Sequence, residues 1–589
     1  MKPNAIKCSL SLWLALGGAS YTVTGQDPSF LPAYGSWVSR PMEGDFPSAA
    51  WADINGDGWV DLFVVGSRNS VIESRWSARF INQRNGTFAV WNWFPDEIAG
   101  WHGCTWGDYD NDGDLDLFLA RRSGVSRLFQ NLGGGNFRLV TTTIYWESGP
   151  GEGWFEERPW GIEGDTAGVA WGDFDGDGYL DLFLTNLSGP SQLWRNSKDG
   201  LLVPVNSAVS QIVGSDGCAW GDYDNDGDQD LFVAVNFNRN NALFRNDQGT
   251  LVQITTGDVV NNGGYSVGCA WGDYDNDGHL DLYVANRLGP NFLYRNNGDG
   301  SFTRVLNGPQ VEDVADSNGC TWADFDNDGD LDLFVANFSP SFEDPMLHVY
   351  RNQGNGTFER FTQNSGFTYV GKGSAVVLDD YDNDGFLDLF VSQERNFDGD
   401  SILCRNSGNA NHWLRIRLQP TSGRTHLGAR VRVLTTVQGV SRWQMREVVA
   451  YDGWGGTSDV AHFGLGPTEE VEELEVRWPS GVVSTLRRVA ADQLLTVRES
   501  SLPFQISPDG GFFTDTLQVT ITDLHPDGEV RYTLDGTEPQ ATSPLYSAPI
   551  TLTSSTLVRA LLFKNGQAIS DELTALFLEN RWNDSIPVA

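Results

Sequence analysis

Short apolar runs alternate with acidic, glycine-rich loops along the first two-thirds of the chain. WADINGDGWVDLFV (51–64), WGDYDNDGDLDLFL (106–119), WGDFDGDGYLDLFL (171–184), WGDYDNDGDQDLFV (220–233), WGDYDNDGHLDLYV (271–284), WADFDNDGDLDLFV (322–335) and LDDYDNDGFLDLFV (378–391) are copies of one pattern. The apolar runs are too short for helices and rich in β-branched and aromatic residues, which predicts buried strands. Each unit goes on to a second pair of runs around an Asn or Gly turn, as in LFQNLGGGNF (128–137), LFRNDQGTLV (243–252), LYRNNGDGSF (293–302) and VYRNQGNGTF (349–358). The first loop acids, Asp53, Asp108, Asp173, Asp222, Asp273, Asp324 and Asp380, are 49 to 65 residues apart. A four-stranded unit at that period predicts a propeller blade. The fold class is therefore all-β: a seven-bladed β-propeller over 27–410, followed by two small β domains. The seventh unit runs out after SILCRN (401–406), and SFLPAYGSWVS (29–39) is a spare strand that should complete it.

Two further columns follow from the period. Four residues before each first Asp stand Ala49, Cys104, Val169, Cys218, Cys269, Cys320 and Val376. This is one small apolar position on the innermost strand, and it predicts buried free thiols, because free Cys packs as a small hydrophobe. Two residues before stand Trp51, Trp106, Trp171, Trp220, Trp271, Trp322 and then Leu378, which predicts packing between blades.

The loop acids need a counter-charge. Positions 1, 3, 5 and 9 are Asp53, Asn55, Asp57 and Asp61 in the first loop, and Asp108, Asp110, Asp112 and Asp116 in the second. They are Asp173, Asp175, Asp177 and Asp181 in the third, then Asp222, Asp224, Asp226 and Asp230 in the fourth. Asp273, Asp275, Asp277 and Asp281, then Asp324, Asp326, Asp328 and Asp332, and finally Asp380, Asp382, Asp384 and Asp388 complete the set. Glycine at position 6 allows a sharp turn. Hard oxygen donors around such a turn suit Ca²⁺, up to seven ions in all, whereas Mg²⁺ takes fewer protein ligands and more water. An EF-hand would need a bidentate Glu at position 12; here a strand residue such as Val233 stands there. An Asp-Gly hairpin turn alone would explain positions 5 and 6 but not 1, 3 and 9.

Composition sharpens this picture. Asp plus Glu is 78 against 39 Lys plus Arg, a formal charge of −39. That balance disfavours nucleic acid and anionic lipid as partners. The 22 Trp and 33 Phe argue for folded cores rather than disorder. Residues 1–25 combine a basic start with a short apolar stretch, which predicts a signal peptide and a secreted, extracellular or periplasmic protein with no membrane span in the mature chain.

The loops and their spacing resemble the FG-GAP/VCBS repeat propellers, the group of integrin α-subunit heads and cartilage acidic protein. The resemblance implies that the loops bind Ca²⁺ on the face opposite the usual ligand face. LGARVRVL (427–434), HFGLG (462–466) and VRWPSG (476–481) make 411–500 resemble the ASPIC/UnbV domain. ISPDGG, VRYTLDGTEP and LYSAPI make 503–579 resemble the small β-sandwich at the C-terminus of chitobiases and hexosaminidases, before a tail at 580–589.

On the other mouth the sequence places His102, Asp216 and Asn318, six residues before their loops. The long connection 138–168 is expected to overhang that mouth with Trp146, Trp154, Phe155, Arg158, Trp160 and Asp165. Those aromatic residues either bind a sugar or peptide or simply pin the loop. No nucleophile elbow, HExxH or phosphate loop is present. The sequence reading is an adhesion or recognition module for an extracellular carbohydrate or protein ligand, and more a binder than an enzyme. The alternative is a propeller-based polysaccharide lyase or glycosidase.

Overall fold

The computed structural model describes residues 29–32, 48–65, 77–91, 101–122, 124–149, 152–338, 346–361, 372–393, 401–420, 424–437, 440–450, 455–456, 459–499, 504–508, 510–514, 516–523, 528–564, 566–568 and 573–579. The leader at 1–25, most of the spare strand and the tail at 580–589 lie outside them. Among the described residues the regular structure is almost entirely β-strand, and α-helix is confined to Pro309–Glu312.

Each repeat folds into one antiparallel sheet. The fourth repeat shows the plan: Ser215–Gly221, Asp230–Val235, Ala242–Asn246 and Leu251–Ile254 pair in chain order. Register is the same in every repeat. Ala49 faces Val64, Cys104 faces Leu119, Val169 faces Leu184, Cys218 faces Val233, Cys269 faces Val284, Cys320 faces Val335 and Val376 faces Val391. The Asp loop therefore spans the same gap each time. The seven small residues of this inner column are fully buried, and the cysteines Cys104, Cys218, Cys269, Cys320 and Cys404 are free and buried.

Successive sheets pack face to face through the tryptophan column. Trp171 stacks on Tyr109, Trp271 on Tyr223, Trp322 on Tyr274 and Trp51 on Tyr381, with centroids 5.9–6.4 Å apart. Each partner is the position-2 residue of the preceding sheet's loop. Glycine follows Trp106, Trp171, Trp220 and Trp271 because the next tryptophan ring lies against it: a Cβ on Gly172 would come within 2.9 Å of the Trp220 ring. The innermost strands touch in chain order, and that of the seventh sheet, Gly373–Asp379, touches that of the first, Ala49–Ala52.

Three sheets depart from the plan, the first only by a parallel strand added from further along the chain. In the seventh, the outer strand is Phe30–Pro32, paired with Cys404–Asn406, so a strand preceding the first repeat takes the place of the fourth strand. In the second, the outer strand is split. Phe137–Leu139 and Gly161–Gly164 both pair with Gly124–Asn131, and a hairpin of Thr141–Gly149 and Glu152–Pro159 is inserted between them. That connection thus springs from the flank of the sheet.

Two further β units follow. Val460–Gly466, His412–Gln419 and Gln493–Arg498 form one sheet, and Val440–Glu447, Arg430–Val437, Glu470–Arg477 and Val483–Ala490 another. Leu414, Ile416 and Phe463 of the first share a core with Val431, Val433 and Leu474 of the second. From this unit Gly455–Gly456 reaches back to pair in parallel with Ala49–Ala50. Glycine is required there, since a Cβ on Gly455 would lie 2.2 Å from Val377 Cγ1. The last unit packs Phe504, Ile506, Val519 and Ile550 of one sheet against Val530, Leu562 and Phe577 of a second.

Candidate metal centres on the loop face

The loop backbone positions the acids before any ion is considered. The position-1 carboxylate accepts the amides of positions 5 and 6: Asp222 takes Asp226 N at 3.0 Å and Gly227 N at 3.1 Å. The position-5 carboxylate accepts the amide of position 7, as Asp112 does from Asp114 at 3.0 Å. The position-9 carboxylate takes the position-2 amide and one more from the third strand; for Asp230 these are Tyr223 N at 3.0 Å and Asn246 N at 2.7 Å. Asn111, Asn225, Asn276, Asn327 and Asn383 at position 4 adopt φ of 54–64°, a left-handed turn that Asn tolerates better than most side chains.

Position 3 is different. Oδ1 of Asp110, Asp175, Asp224, Asp275 and Asp382 is buried without a hydrogen-bond partner. Where the other oxygen is engaged, its partner is on the third strand: Gln130 at 2.6 Å for Asp110 and Arg295 at 2.7 Å for Asp275. Oxygens of positions 1, 3 and 9 lie within 4.8 Å of one another in the triads Asp108–Asp110–Asp116, Asp173–Asp175–Asp181, Asp222–Asp224–Asp230, Asp273–Asp275–Asp281 and Asp324–Asp326–Asp332. Burial pushes Asp116, Asp181 and Asp230 up to about 9, and neighbouring carboxylates add to the shift. Burial likewise raises Asp108 and Asp173 to about 6. Asp281, Asp332 and Asp388 are driven well above the ordinary carboxylate range for the same reason. A buried oxygen with no donor, at the centre of acids that resist ionising alone, fits a hard divalent cation.

Position 5 stands at the solvent edge. Asp57 pairs with Arg84 at 3.0 Å, Asp177 with Lys198 at 3.0 Å and Asp277 with Arg295 at 3.3 Å. Asp384 and Asp382 both pair with Arg405, and Arg351 sits between Asp326 and Asp328. The first loop also departs: Asn55 Oδ1 accepts the Asp57 amide at 2.9 Å, so its position-3 oxygen is already engaged.

An asparagine on each third strand ties the loops into a chain. Asn196 Nδ2 donates to Tyr109 O of the preceding sheet at 2.7 Å, and Asn246, Asn296, Asn352 and Asn406 donate likewise to Phe174, Tyr223, Tyr274 and Phe325. Asn131 reaches Ile54 O, and Asn82 reaches Tyr381 O, from the first sheet to the seventh. The sequence reading took these residues as turn formers. Six of the seven follow Arg or Gln directly, which was the available signal, whereas Asn82 follows Ile81.

The 411–500 unit covers the loop face, which the sequence did not indicate. Arg415 donates to Asp380 at 2.9 Å and Asp379 at 2.8 Å, Gly464 N to Asp324 at 3.1 Å, and Thr425 N to Gly178 O at 3.0 Å. Arg430 is held by Glu447 at 3.1 Å and approaches Asp222 at 3.5 Å. A cavity of about 130 Å³ between the two parts is lined by Trp220, Trp271, Trp322, Asp324, Arg415 and His462.

On the opposite mouth the structure brings several expected residues into pairs. Arg122 meets Asp165 at 3.2 Å, Asn236 donates to Asp216 at 2.8 Å, and Arg287 donates to Asn318 at 3.0 Å. His102 is buried, and burial, with Arg122 and Arg287 nearby, holds its pKa well below the usual value. Trp160 instead packs edge-on against Trp194, with centroids 6.0 Å apart, on the flank of the second and third sheets. In the inserted hairpin the backbone register sets position 146 opposite 154, 145 opposite 155 and 142 opposite 158, which is where Trp146, Trp154, Phe155 and Arg158 fall in the chain.

Repeat sheets built around aspartate loops define a class of propeller-type repeat proteins. The chain belongs to the FG-GAP-like repeat family, whose model matches residues 53–119, 108–184, 173–233, 222–284, 273–335 and 324–391. The ASPIC and UnbV model matches 419–503, and the chitobiase/beta-hexosaminidase C-terminal domain model matches 508–574. Cartilage acidic protein 1 of Mus musculus is 31% identical over 281 residues, 46% of this chain and 42% of that protein. The chain thus spans under half the length of that relative. The Xenopus tropicalis protein of the same name is 26% identical over 495 residues, covering 69% and 74%. Among solved structures, Saccharomyces cerevisiae Sqt1 superposes with a TM-score of 0.39 at 11% identity, covering 65% of this chain and all of that one.

Proposed function

We propose that the protein is an exported, calcium-stabilised recognition module: a closed ring of seven blades, capped on its loop face, that binds a carbohydrate or protein ligand at the opposite mouth. The recurrent buried position-3 oxygen carries the calcium reading, because five loops independently leave the same atom without a donor. Asp and Asn of positions 1, 3, 5 and 9 would hold the ions, and bound Ca²⁺ would neutralise carboxylates that otherwise repel. The unbroken succession of inter-sheet asparagine bonds supports the seven-blade ring. The cap leaves the other mouth as the working surface. There Phe237, next to Asn236, Leu288, next to Arg287, and Val314, bridged to Pro290, are more than half exposed. The last unit, with two sheets around one core, is a β-sandwich in this reading. Among the described residues no helix is long and apolar enough to cross a membrane.

Two measurements test the proposal. Melting in excess EGTA should occur well below melting in calcium; an unchanged midpoint removes the metal reading. Glycan and protein arrays probed with the calcium-loaded chain should give specific binding lost in Arg122→Ala and Arg287→Ala. Turnover of a polysaccharide would instead make the protein a lyase or glycosidase.

A further inference from the structure

The cap sets cations of its own against the loops. Arg415, on His412–Gln419, is 3% exposed and directs one guanidinium nitrogen to Asp380 Oδ2 at 2.9 Å and the other to Asp379 at 2.8 Å. Asp380 is position 1 of the seventh loop, and the same Oδ2 accepts Gly385 N at 2.8 Å. Arg430, on Arg430–Val437, stands 3.5 Å from Asp222 Oδ2, position 1 of the fourth loop, and also donates to Asp222 O. Glu447 fixes it from behind and accepts the Asp222 amide at 3.2 Å. In the third loop the basic partner is different in kind: Lys198, half exposed and from the same sheet, pairs with Asp177 at position 5. A buried fixed charge acts far more strongly on a neighbouring ion than an exposed, screened one.

We propose that Arg415 and Arg430 are built-in counter-cations that place the seventh and fourth loops in a weaker calcium class than the third, so that cap docking and calcium binding at those two loops oppose each other. The inference rests on the calcium reading of the loops. Each arginine touches the position-1 carboxylate of its loop, Asp380 or Asp222, which in the calcium reading would also hold the ion. Two like charges on one carboxylate in a low-dielectric interface repel, so each lowers the affinity of the other. Reciprocity makes the coupling the same from either side. Calcium saturation of these loops would thus loosen the cap's grip, and a chain short of calcium keeps the cap seated by its own arginines.

The test is calorimetric titration of Ca²⁺ into the metal-free full chain, comparing wild type with Arg415→Gln and Arg430→Gln. The wild type should show a tight class and a weaker one. Each glutamine variant should move one site to higher affinity by roughly 5–150-fold, the usual range for coupled sites. Arg415→Lys and Arg430→Lys retain the charge and should titrate like the wild type. Should Arg415→Gln fail to fold by circular dichroism, the Arg430 pair carries the same comparison, since that site lies on a different sheet and loop. Unchanged or weakened binding in the glutamine variants overturns the proposal while leaving the calcium loops standing. Absence of any calcium heat removes both.

Discussion

Asn296→Ala isolates the inter-sheet clasp. Asn296 is 1% exposed. Its Nδ2 donates to Tyr223 O at 2.8 Å and Leu280 O at 3.0 Å, and its Oδ1 accepts Gly298 N at 3.0 Å. Alanine keeps the main-chain bond to Asp281 but deletes all three side-chain bonds. Two buried carbonyls then lose their donor, and each unsatisfied buried group costs about 1–3 kcal/mol. The Gly298 amide is near solvent and adds little. The expected loss is about 2–6 kcal/mol, read as a lower urea midpoint in saturating calcium at unchanged slope. Asn297→Ala is the matched control. Asn297 is exposed and bonds Ser301 and Thr303 of its own turn, so its loss should stay within about 0.5 kcal/mol. Equal midpoints for the two variants would refute the claim that the clasp, rather than turn geometry, accounts for this asparagine.

Gly172→Ala should cost about 1–3 kcal/mol by overpacking against the Trp220 ring, measured by the same urea titration; a neutral result would mean the adjoining sheet shifts freely. Cys104 of the inner column and Cys404 of the seventh sheet's third strand, whose thiols burial pushes up to about 12, should resist Ellman's reagent in the native protein and react on denaturation; prompt native labelling would contradict the packing of these strands. In EGTA, stability should fall as pH rises. Asp116, Asp181 and Asp230 titrate near 9 in the folded chain against 3.8 in the unfolded one, so the folded state holds more protons across that interval. Melting temperatures at about pH 6 and pH 8.5 check the sign, and saturating calcium should flatten the trend.

What could be read from sequence was what repeats. The Asp loop, the tryptophan column and the cysteine column recur at fixed offsets, and identical register turns each into a shared place in space. The split second sheet was not legible, because residues 138–168 sit between two loops and read as one connection. Only the pairing of Gly161–Gly164 with Gly124–Arg127 shows that the outer strand resumes after the hairpin. Arg415 and Arg430 were equally hidden. Their carboxylate partners lie 35 and 208 residues back, and nothing local distinguishes either arginine from others on exposed strands. The asparagine clasp was visible as a pattern but misassigned, since Asn before a glycine turn also satisfies ordinary hairpin grammar.

The pairing of the chain's start with its seventh sheet sets an order of events in synthesis. Ser29 bonds Ser407, 378 residues further on, so the strand at Phe30–Pro32 must wait for nearly the whole repeat region before it has a place. Six sheets can accumulate one on another as they emerge, but the last step joins two distant stretches of chain. Closing so long a span costs about 5 kcal/mol of loop entropy, a logarithmic penalty that sheet-to-sheet assembly reduces by bringing the ends together first. Until then the third strand of the seventh sheet presents an open edge, which any extended segment of suitable register could occupy. A nascent chain trimmed past Pro32 would stay in that open form, competent to borrow the missing strand from a neighbour.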